Sequence, residues 1–216
     1  MVKFKKVLAG LAAGAVVATQ GLFGVAQAAE AGYPQEFQEA LQWGYENGLT
    51  SYNTFDEFMP YGVLNREQAA KFFGVWAEDV LGKTPDTTRN CEFNDADQIT
   101  PVLRPYVVKA CQLGLFNGDA DGNFNPHQQL SKAVALVLIV RALEGQKDEN
   151  ATPWWRNYYE RAAELGITND SMDQVAQKPA YRIETMVMLY RAAQDQGGDL
   201  ADLLDDIIGG DEGADE

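Results

Sequence analysis

The apolar residues of this chain fall at helical spacing in segments that alternate with turn-rich loops. In one clear case the apolar positions are Tyr106, Val107, Ala110, Cys111 and Leu113. This spacing predicts a helix that ends at Gly114, because glycine readily adopts the left-handed conformation found at helix ends. A second helix, "KAVALVLIVRAL", follows the loop and is apolar around nearly its whole circumference. We therefore expect a mainly α fold with this second helix at its centre.

The helix-loop-helix pattern occurs three times along the chain. A shift of 66 residues aligns residues 48–70 with residues 114–136 without a gap, and a weaker third copy covers residues 158–193. The pairs that coincide in the first two copies are Gly48 and Gly114, Leu49 and Leu115, Phe58 and Phe124, Pro60 and Pro126, Leu64 and Leu130, and Ala69 and Ala135. The predicted repeats are residues 33–82, 90–145 and 150–194, which together cover most of the chain.

A basic residue lies in the first turn of each second helix: Arg66, Lys132 and Arg182. The helix dipole disfavours a cation there by about 0.3–1 kcal/mol, so a negative group is expected nearby. An anionic ligand is one candidate, because the free amides of a helix start also bind anions. The alternative is a salt bridge to a carboxylate of the chain, such as Asp95 or Glu184. We expect these cations to be exposed and their substitution to leave folding nearly intact.

The first 28 residues have the features of a secretory signal peptide. Three lysines precede an apolar run, and Ala26-Gln27-Ala28 provides the small residues that signal peptidase requires. This pattern predicts export with cleavage before Ala29. An uncleaved membrane anchor is the alternative, because the apolar run is nearly long enough to span a bilayer.

Export changes the expected charge and redox state of the chain. Without residues 1–28, 14 basic and 32 acidic residues remain, a net charge of −18. Such a charge repels nucleic acid and anionic membranes, so neither is expected as a partner after signal cleavage. The two cysteines, Cys91 and Cys111, are predicted to form a disulfide that contributes about 3 kcal/mol.

The loop of the second repeat has some of the spacing of a calcium-binding loop. Asn117, Asp119 and Asp121 offer oxygen atoms, and Gly122 follows. However, the twelfth position is Gln128 where an EF-hand has a bidentate glutamate. The first repeat keeps the apolar frame but has Asn53, Phe55 and Asp56 in the places of Asp119, Asp121 and Gly122. We therefore favour a solvated turn held by Asx hydrogen bonds over a calcium site, and we predict no metal or cofactor.

These motifs resemble the S-layer homology domain, a family whose members usually carry three modules. The second repeat matches its pattern best, at Phe93-Asn94-Asp95, Gly114-Leu115-Phe116-Asn117-Gly118, Asp121-Gly122-Asn123-Phe124-Asn125-Pro126 and Ser131-Lys132-Ala133. The first repeat lacks Phe-x-Asp, and the third has lost the Asp-Gly loop. The resemblance implies a three-lobed, pseudo-trimeric bundle with central helices. It also implies binding of secondary cell-wall polysaccharide, often acidic or pyruvylated, in grooves between the lobes.

The candidate glycan-binding residues combine this resemblance with the cation pattern. They are Arg66, Lys132, Arg182, Asn117, Gly118, Asp95, Trp154 and Trp155. Among the cations, Lys132 is expected to matter most, because its own repeat carries the Asn117-Gly118 turn. The two tryptophans are candidates for a sugar-stacking platform, with packing in the core as the alternative for at least one of them.

The sequence supports two functional hypotheses and contains no recognisable catalytic constellation. The first is a non-catalytic exported protein held non-covalently at the cell wall or surface layer by an anionic polysaccharide. The alternative is a surface scaffold that contacts proteins through its repeats and its C-terminal tail. In this tail, residues 197–216, apolar residues at helical spacing predict a short amphipathic helix on a flexible acidic segment; they are Leu200, Leu203, Leu204, Ile207 and Ile208.

Overall fold

The structure is a computed structural model that describes residues 32–194. The predicted signal peptide at residues 1–28 and the predicted tail at residues 197–216 lie outside the described residues. Both features therefore stay predictions.

The described residues are mainly α-helical, as the apolar spacing predicts. The helices are α1 (Gln35–Glu46), α2 (Phe55–Phe58), α3 (Arg66–Val75), α4 (Arg104–Gln112), α5 (Lys132–Glu144), α6 (Arg156–Glu164), α7 (Met172–Gln177) and α8 (residues 182–194). A π-helical turn, Trp76–Val80, continues α3, and a 3-10 turn, Ala96–Gln98, precedes α4. Between residues 32 and 194 the extended backbone forms isolated β-bridges but no strand. None of the helices in this range combines the length and apolar character needed to cross a bilayer.

Three helices end in the way that the repeated glycines predict. The glycines after α1, α4 and α6 have positive φ angles, which are 75° at Gly48, 75° at Gly114 and 66° at Gly166. The apolar residue that follows each glycine is buried. At Leu115, for example, the amide donates to the carbonyl of Ala110 over 3.0 Å. This bond folds the chain back onto its own helix and closes the helix end.

The second helices begin at side-chain caps, also as predicted. Asn65 accepts a hydrogen bond from the amide of Gln68 over 2.9 Å, and Gln68 accepts one in return from the amide of Asn65 over 3.3 Å. Ser131 accepts from the amide of Val134 over 3.3 Å at the start of α5. The most deeply buried helix is α5, in which residues 135–140 are all at most 2% exposed. Its central position follows from an apolar surface that needs covering on every side.

The residues just before α3, α5 and α8 are joined by a closed ring of backbone hydrogen bonds. Leu64 donates its amide hydrogen to the carbonyl of Ala180 over 3.0 Å. Ala180 donates to Leu130 over 2.8 Å, and Leu130 donates to Leu64 over 2.8 Å. All three residues are at most 2% exposed. The ring pairs buried backbone amides and carbonyls, whose burial without hydrogen bonds would be destabilising. It also joins three distant parts of the chain.

The predicted disulfide is present. Cys91, in the irregular segment before α4, is bonded to Cys111 within α4, and their Cα atoms lie 5.9 Å apart. The bond therefore fixes the entry segment of the second predicted repeat against the first helix of that repeat.

Candidate functional site

A groove lies where the start of α3, the loop after α4 and the outer side of α5 meet. Its volume is about 310 Å³, and we call it the Arg66 groove. The apolar lining residues include Leu115, Phe116, Val134, Val137 and Leu138. The other lining residues are Arg66, Asn117, Arg141, Glu149 and Trp154. Three of the predicted site residues, Arg66, Asn117 and Trp154, are therefore brought together, although each comes from a different predicted repeat.

The guanidinium of Arg66 is held by backbone carbonyls and aromatic rings. Its Nε atom donates to the carbonyl of Phe124 over 2.7 Å, and Nη2 donates to the carbonyl of Asn117 over 3.1 Å. The Cζ atom lies 5.3 Å and 5.0 Å from the ring centroids of Phe116 and Phe124, within cation–π distance. Within residues 32–194, Arg66 forms no ion pair. Its charge is positioned by neutral groups.

The charge of Arg66 is incompletely compensated by the protein. Burial lowers the pKa of the guanidinium, and the more distant Asp119 and Asp95 raise it by less, so the net shift is downward. An arginine stays protonated nonetheless. A partly buried cation without a direct anionic partner interacts favourably with an anion that enters the groove.

A second arginine, Arg141 of α5, also lines the groove and has a carboxylate partner. It is paired with Glu149, and its Nε atom donates to the hydroxyl of the buried Tyr158 over 3.3 Å. That hydroxyl donates to Glu149 over 2.6 Å. Burial lowers the pKa of Arg141, but the bonds to Tyr158 and Glu149 raise it above its ordinary value. Arg141 was not among the predicted site residues, although the dipeptides Arg141-Ala142 and Arg191-Ala192 recur in the second and third predicted repeats and were a usable signal.

The two tryptophans have different environments. Trp154 is 42% exposed, lines the groove and lies edge-on to Tyr158, with ring centroids 6.4 Å apart. Trp155 is half-buried, packs against the core and lies edge-on to Tyr159. Core packing, the alternative expected for at least one of the two, is therefore found at Trp155. Trp154 is accessible at the groove, and its role in sugar stacking stays a prediction.

The Asn117-Gly118 turn lies at the Arg66 groove, which Asn117 lines. Asn117 is exposed and accepts a hydrogen bond from Arg89 through its side-chain oxygen. Gly118 does not contribute to the described lining; a Cβ atom there would lie 3.4 Å from the carbonyl oxygen of Asn123 and 3.5 Å from Phe93. These are ordinary van der Waals distances, so the space around Gly118 would admit a Cβ atom.

Asp95 is buried and hydrogen-bonded within the protein, and its predicted role as a ligand contact stays a prediction. The residue is 6% exposed, and its two oxygens accept hydrogen bonds from the amides of Phe124 and Asn125, both over 2.7 Å. Asn125 has a positive φ of 57°. Asp95 thus holds this strained part of the loop from the buried side. By binding the amide of Phe124, it also helps to position the carbonyl of Phe124, which accepts the hydrogen bond from Arg66.

The calcium-like loop is an Asx turn. One oxygen of Asp119 accepts from the amides of Asp121 and Asn123, both over 2.9 Å, and the other accepts from the side chain of Asn125 over 2.7 Å. The bonds from Asn123 and Asn125 lower the pKa of Asp119. In the described part of the chain, no group of three or more His, Cys, Asp or Glu side chains is arranged to hold a metal.

The prediction of an exposed Lys132 beside the Asn117-Gly118 turn is wrong. The side chain is 8% exposed, and its Nζ atom lies 2.7 Å from oxygens of both Asp170 and Glu184. The alternative of a salt bridge to Glu184 is therefore confirmed. Lys132 lines a smaller groove of about 160 Å³, which we call the Lys132 groove. It lies there because the start of α5 faces the loop of the third predicted repeat, which contains Asp170, and not the loop of its own predicted repeat.

Arg182 follows the same rule of contact between different repeats. Its Nη1 atom donates to the carbonyl of Phe58 over 3.1 Å, and its amide donates to the carbonyl of Gly62 over 2.9 Å. The three predicted cations thus each contact the loop of another repeat. Arg66 and Arg182 contact carbonyls, whereas Lys132 contacts carboxylates.

Comparison with known proteins assigns part of this chain to a family. Residues 92–133 match the family model of the S-layer homology domain. The chain contains an S-layer homology domain. Its matched segment includes Asp95, the Asn117-Gly118 turn and the start of α5, but it excludes Arg66 and Trp154. The matched S-layer homology domain therefore supplies one wall of the Arg66 groove.

Two characterised proteins are similar to parts of the chain. A "Surface-layer 125 kDa protein" of Lysinibacillus sphaericus is 29% identical over 155 residues, which is 66% of this chain and 13% of that protein. An "Endoglucanase" of Bacillus sp. (strain KSM-635) is 32% identical over 106 residues, which is 45% of this chain and 11% of that enzyme. The matches thus span a small fraction of both relatives.

Proposed function

We propose that this protein attaches non-covalently to the cell wall by binding an anionic polysaccharide in the Arg66 groove. The observation that carries this proposal is the partly buried guanidinium of Arg66, which has no ion pair within residues 32–194 and shares a groove with the exposed Trp154. Such a combination of one positioned cation and one accessible aromatic ring is suited to an acidic sugar.

The groove offers complementary groups for each part of such a ligand. The guanidinium edge of Arg66 that faces the groove would bind a carboxylate, and the side-chain amide of Asn117 would bind a hydroxyl. The ring of Trp154 would cover an apolar sugar face. The Arg141–Glu149 pair, which also lines the groove, offers donors and acceptors to further hydroxyls.

The proposal includes three S-layer homology repeats, at residues 33–82, 90–145 and 150–194, arranged as a three-lobed bundle. The ring formed by Leu64, Leu130 and Ala180 supports it, because these residues occupy corresponding positions in the three repeats. The 155-residue similarity to the surface-layer protein supports it too, since it is longer than any single repeat. Arg182 would mark a further groove in such a bundle.

The proposed location is the cell surface, after export directed by residues 1–28. The S-layer homology domain and the similarity to a surface-layer protein support a cell-wall location. We propose a non-catalytic role. The similarity to the endoglucanase covers 11% of that enzyme, so its name transfers no activity to this chain.

Co-sedimentation with wall sacculi tests this function. The protein should sediment with sacculi of the source organism, and binding should fall after the secondary polymer is stripped. Arg66→Gln and Trp154→Ala should each weaken binding by about 1–3 kcal/mol. Arg104→Gln is a matched control, because Arg104 is an exposed arginine that also donates to a backbone carbonyl, that of Ala96.

The outcome also separates the two functional hypotheses. Thermal unfolding of the same variants distinguishes lost contacts from lost folding. Equal sedimentation of all variants, before and after stripping, would reject polysaccharide binding in this groove. Protein contacts through the repeats and the tail would then be the better account.

A further inference from the structure

The Arg66 groove and the Lys132 groove are built from corresponding residues of successive repeats. Arg66 and Lys132 begin second helices in their respective grooves. The two grooves are also lined by Arg141, paired with Glu149, and by Arg191, paired with Glu36 through contacts of 2.6 Å and 2.8 Å. The two grooves therefore allow a direct comparison within one chain.

The grooves differ at two positions next to the helix-start cation. Asp170 lies in the third repeat where the second repeat has Gly118, and Glu184 lies where the second repeat has Val134. Val134 lines the Arg66 groove, and Glu184 lines the Lys132 groove. An apolar residue and a glycine are thus replaced by two carboxylates.

The two carboxylates both form ion pairs with the ammonium group of Lys132. Its Nζ atom lies 2.7 Å from Asp170 and 2.7 Å from Glu184, and Asp170 also lies within 3.0 Å of Lys178. Two lysines and two carboxylates therefore form a neutral cluster in which Lys132 is almost fully buried. A ligand carboxylate would have to displace a partner that is already in place.

We propose that Asp170 and Glu184 are specificity-determining residues that close the Lys132 groove to anionic sugars. This inference rests on the proposed function, because it restricts binding of the acidic polymer among the grooves of the same bundle. The Arg66 groove accepts an anion, since its cation is held by carbonyls and aromatic rings and has no carboxylate partner within residues 32–194. In the Lys132 groove, the carboxylates of Asp170 and Glu184 already neutralise the cation.

The test transfers anion binding from one groove to the other. The probe is trigalacturonate, and its methyl ester is the uncharged control. In an Arg66→Gln background, D170N and E184Q together remove both internal anions and keep the side-chain shapes. Calorimetric titration should show about tenfold or greater tightening of trigalacturonate binding relative to Arg66→Gln alone, with no change for the ester.

A second measurement covers the possibility that the triple variant is unstable. A ligand that binds the folded state raises the melting temperature, so trigalacturonate should raise it in the triple variant and not in Arg66→Gln. The reciprocal change, Val134→Glu in the otherwise unaltered protein, should provide Arg66 with an internal anion and weaken sedimentation with sacculi about tenfold.

The outcomes separate this inference from the proposed function. Failure of the triple variant to gain binding or thermal stabilisation by trigalacturonate would overturn the inference, even if the unaltered protein sediments with sacculi. A gain in the triple variant would support it even if the unaltered protein fails to sediment, a result that would reject only the proposed function. Unchanged sedimentation of the Val134→Glu variant with sacculi would also count against the inference about Asp170 and Glu184.

Discussion

Replacing Arg66 with methionine should lower the free energy of unfolding by about 2 kcal/mol. The sequence alone predicts a nearly neutral substitution, because an exposed first-turn cation contributes little. The structure gives a different expectation, since the side chain of Arg66 joins α3 to the loop of another repeat.

The size of the effect follows from the contacts of Arg66. Hydrogen bonds to charged donors contribute about 1.5–3 kcal/mol each, and cation–π contacts contribute about 0.5–1 kcal/mol each. Loss of Arg66 would leave the carbonyl of the buried Phe124 without this donor. Two gains offset the loss: the burial cost of the guanidinium disappears, and methionine keeps much of the apolar stem. The net value of about 2 kcal/mol is therefore well below the sum of the contacts.

Urea unfolding measures this difference directly. The midpoint should fall while the slope with denaturant stays constant, as expected for a change in stability alone. Arg66→Lys should lose about 1 kcal/mol, because lysine keeps the charge but not the planar fork. Arg104→Met, at an exposed arginine with one carbonyl contact, should lose less than about 0.5 kcal/mol. A loss for Arg66→Met no larger than that of Arg104→Met would refute this reasoning.

Three further predictions follow from the described contacts. Denatured but unreduced protein should show no free thiol, because Cys91 and Cys111 are bonded to each other; two titratable thiols would contradict this. Millimolar calcium should leave the melting temperature nearly unchanged, because the oxygens of Asp119 are hydrogen-bonded within the turn, whereas a clear upward shift would reveal a site. The stability advantage of the unaltered protein over Glu149→Gln should be present above pH about 4.3 and diminish as the pH falls further. Although burial raises the pKa of Glu149, its bonds to Tyr158 and Arg141 bring it below the ordinary value, so an advantage that is constant down to pH 3 would contradict the sign.

The local features of this fold were predictable because their causes lie within a few residues. Gly114 ends α4 since a glycine can adopt positive φ at little cost. Asn65 and Ser131 cap their helices through side chains that reach the next turn. The burial of α5 follows from its uniformly apolar surface. In each case the cause is a property of the residue itself or of residues within the same helix.

The composition of the site was less predictable because its partners are distant in sequence. Arg66 and Lys132 have the same local context, a capped helix start, yet one is bound to carbonyls and the other to carboxylates. Nothing in their immediate sequence distinguishes these outcomes. The difference arises from which loop each helix start faces, and this depends on how distant segments of the chain pack together. The hydrogen bonds of Asp95 were not predictable for a related reason, since its partners Phe124 and Asn125 lie about thirty residues away.

The matched S-layer homology domain cannot form the Arg66 groove by itself. Residues 92–133 contain Asn117 and the carbonyl of Phe124, but the cation comes from α3 and the exposed ring from Trp154. The hydrogen-bonded ring before α3, α5 and α8 fixes these segments relative to one another, and each member depends on the carbonyl of another. Removing any one segment would leave a buried amide and a buried carbonyl unpaired, at a cost of about 1–3 kcal/mol each. The groove is therefore formed by segments from three separate parts of the chain, and the proposed binding should be lost in any fragment that contains the matched domain without its neighbours.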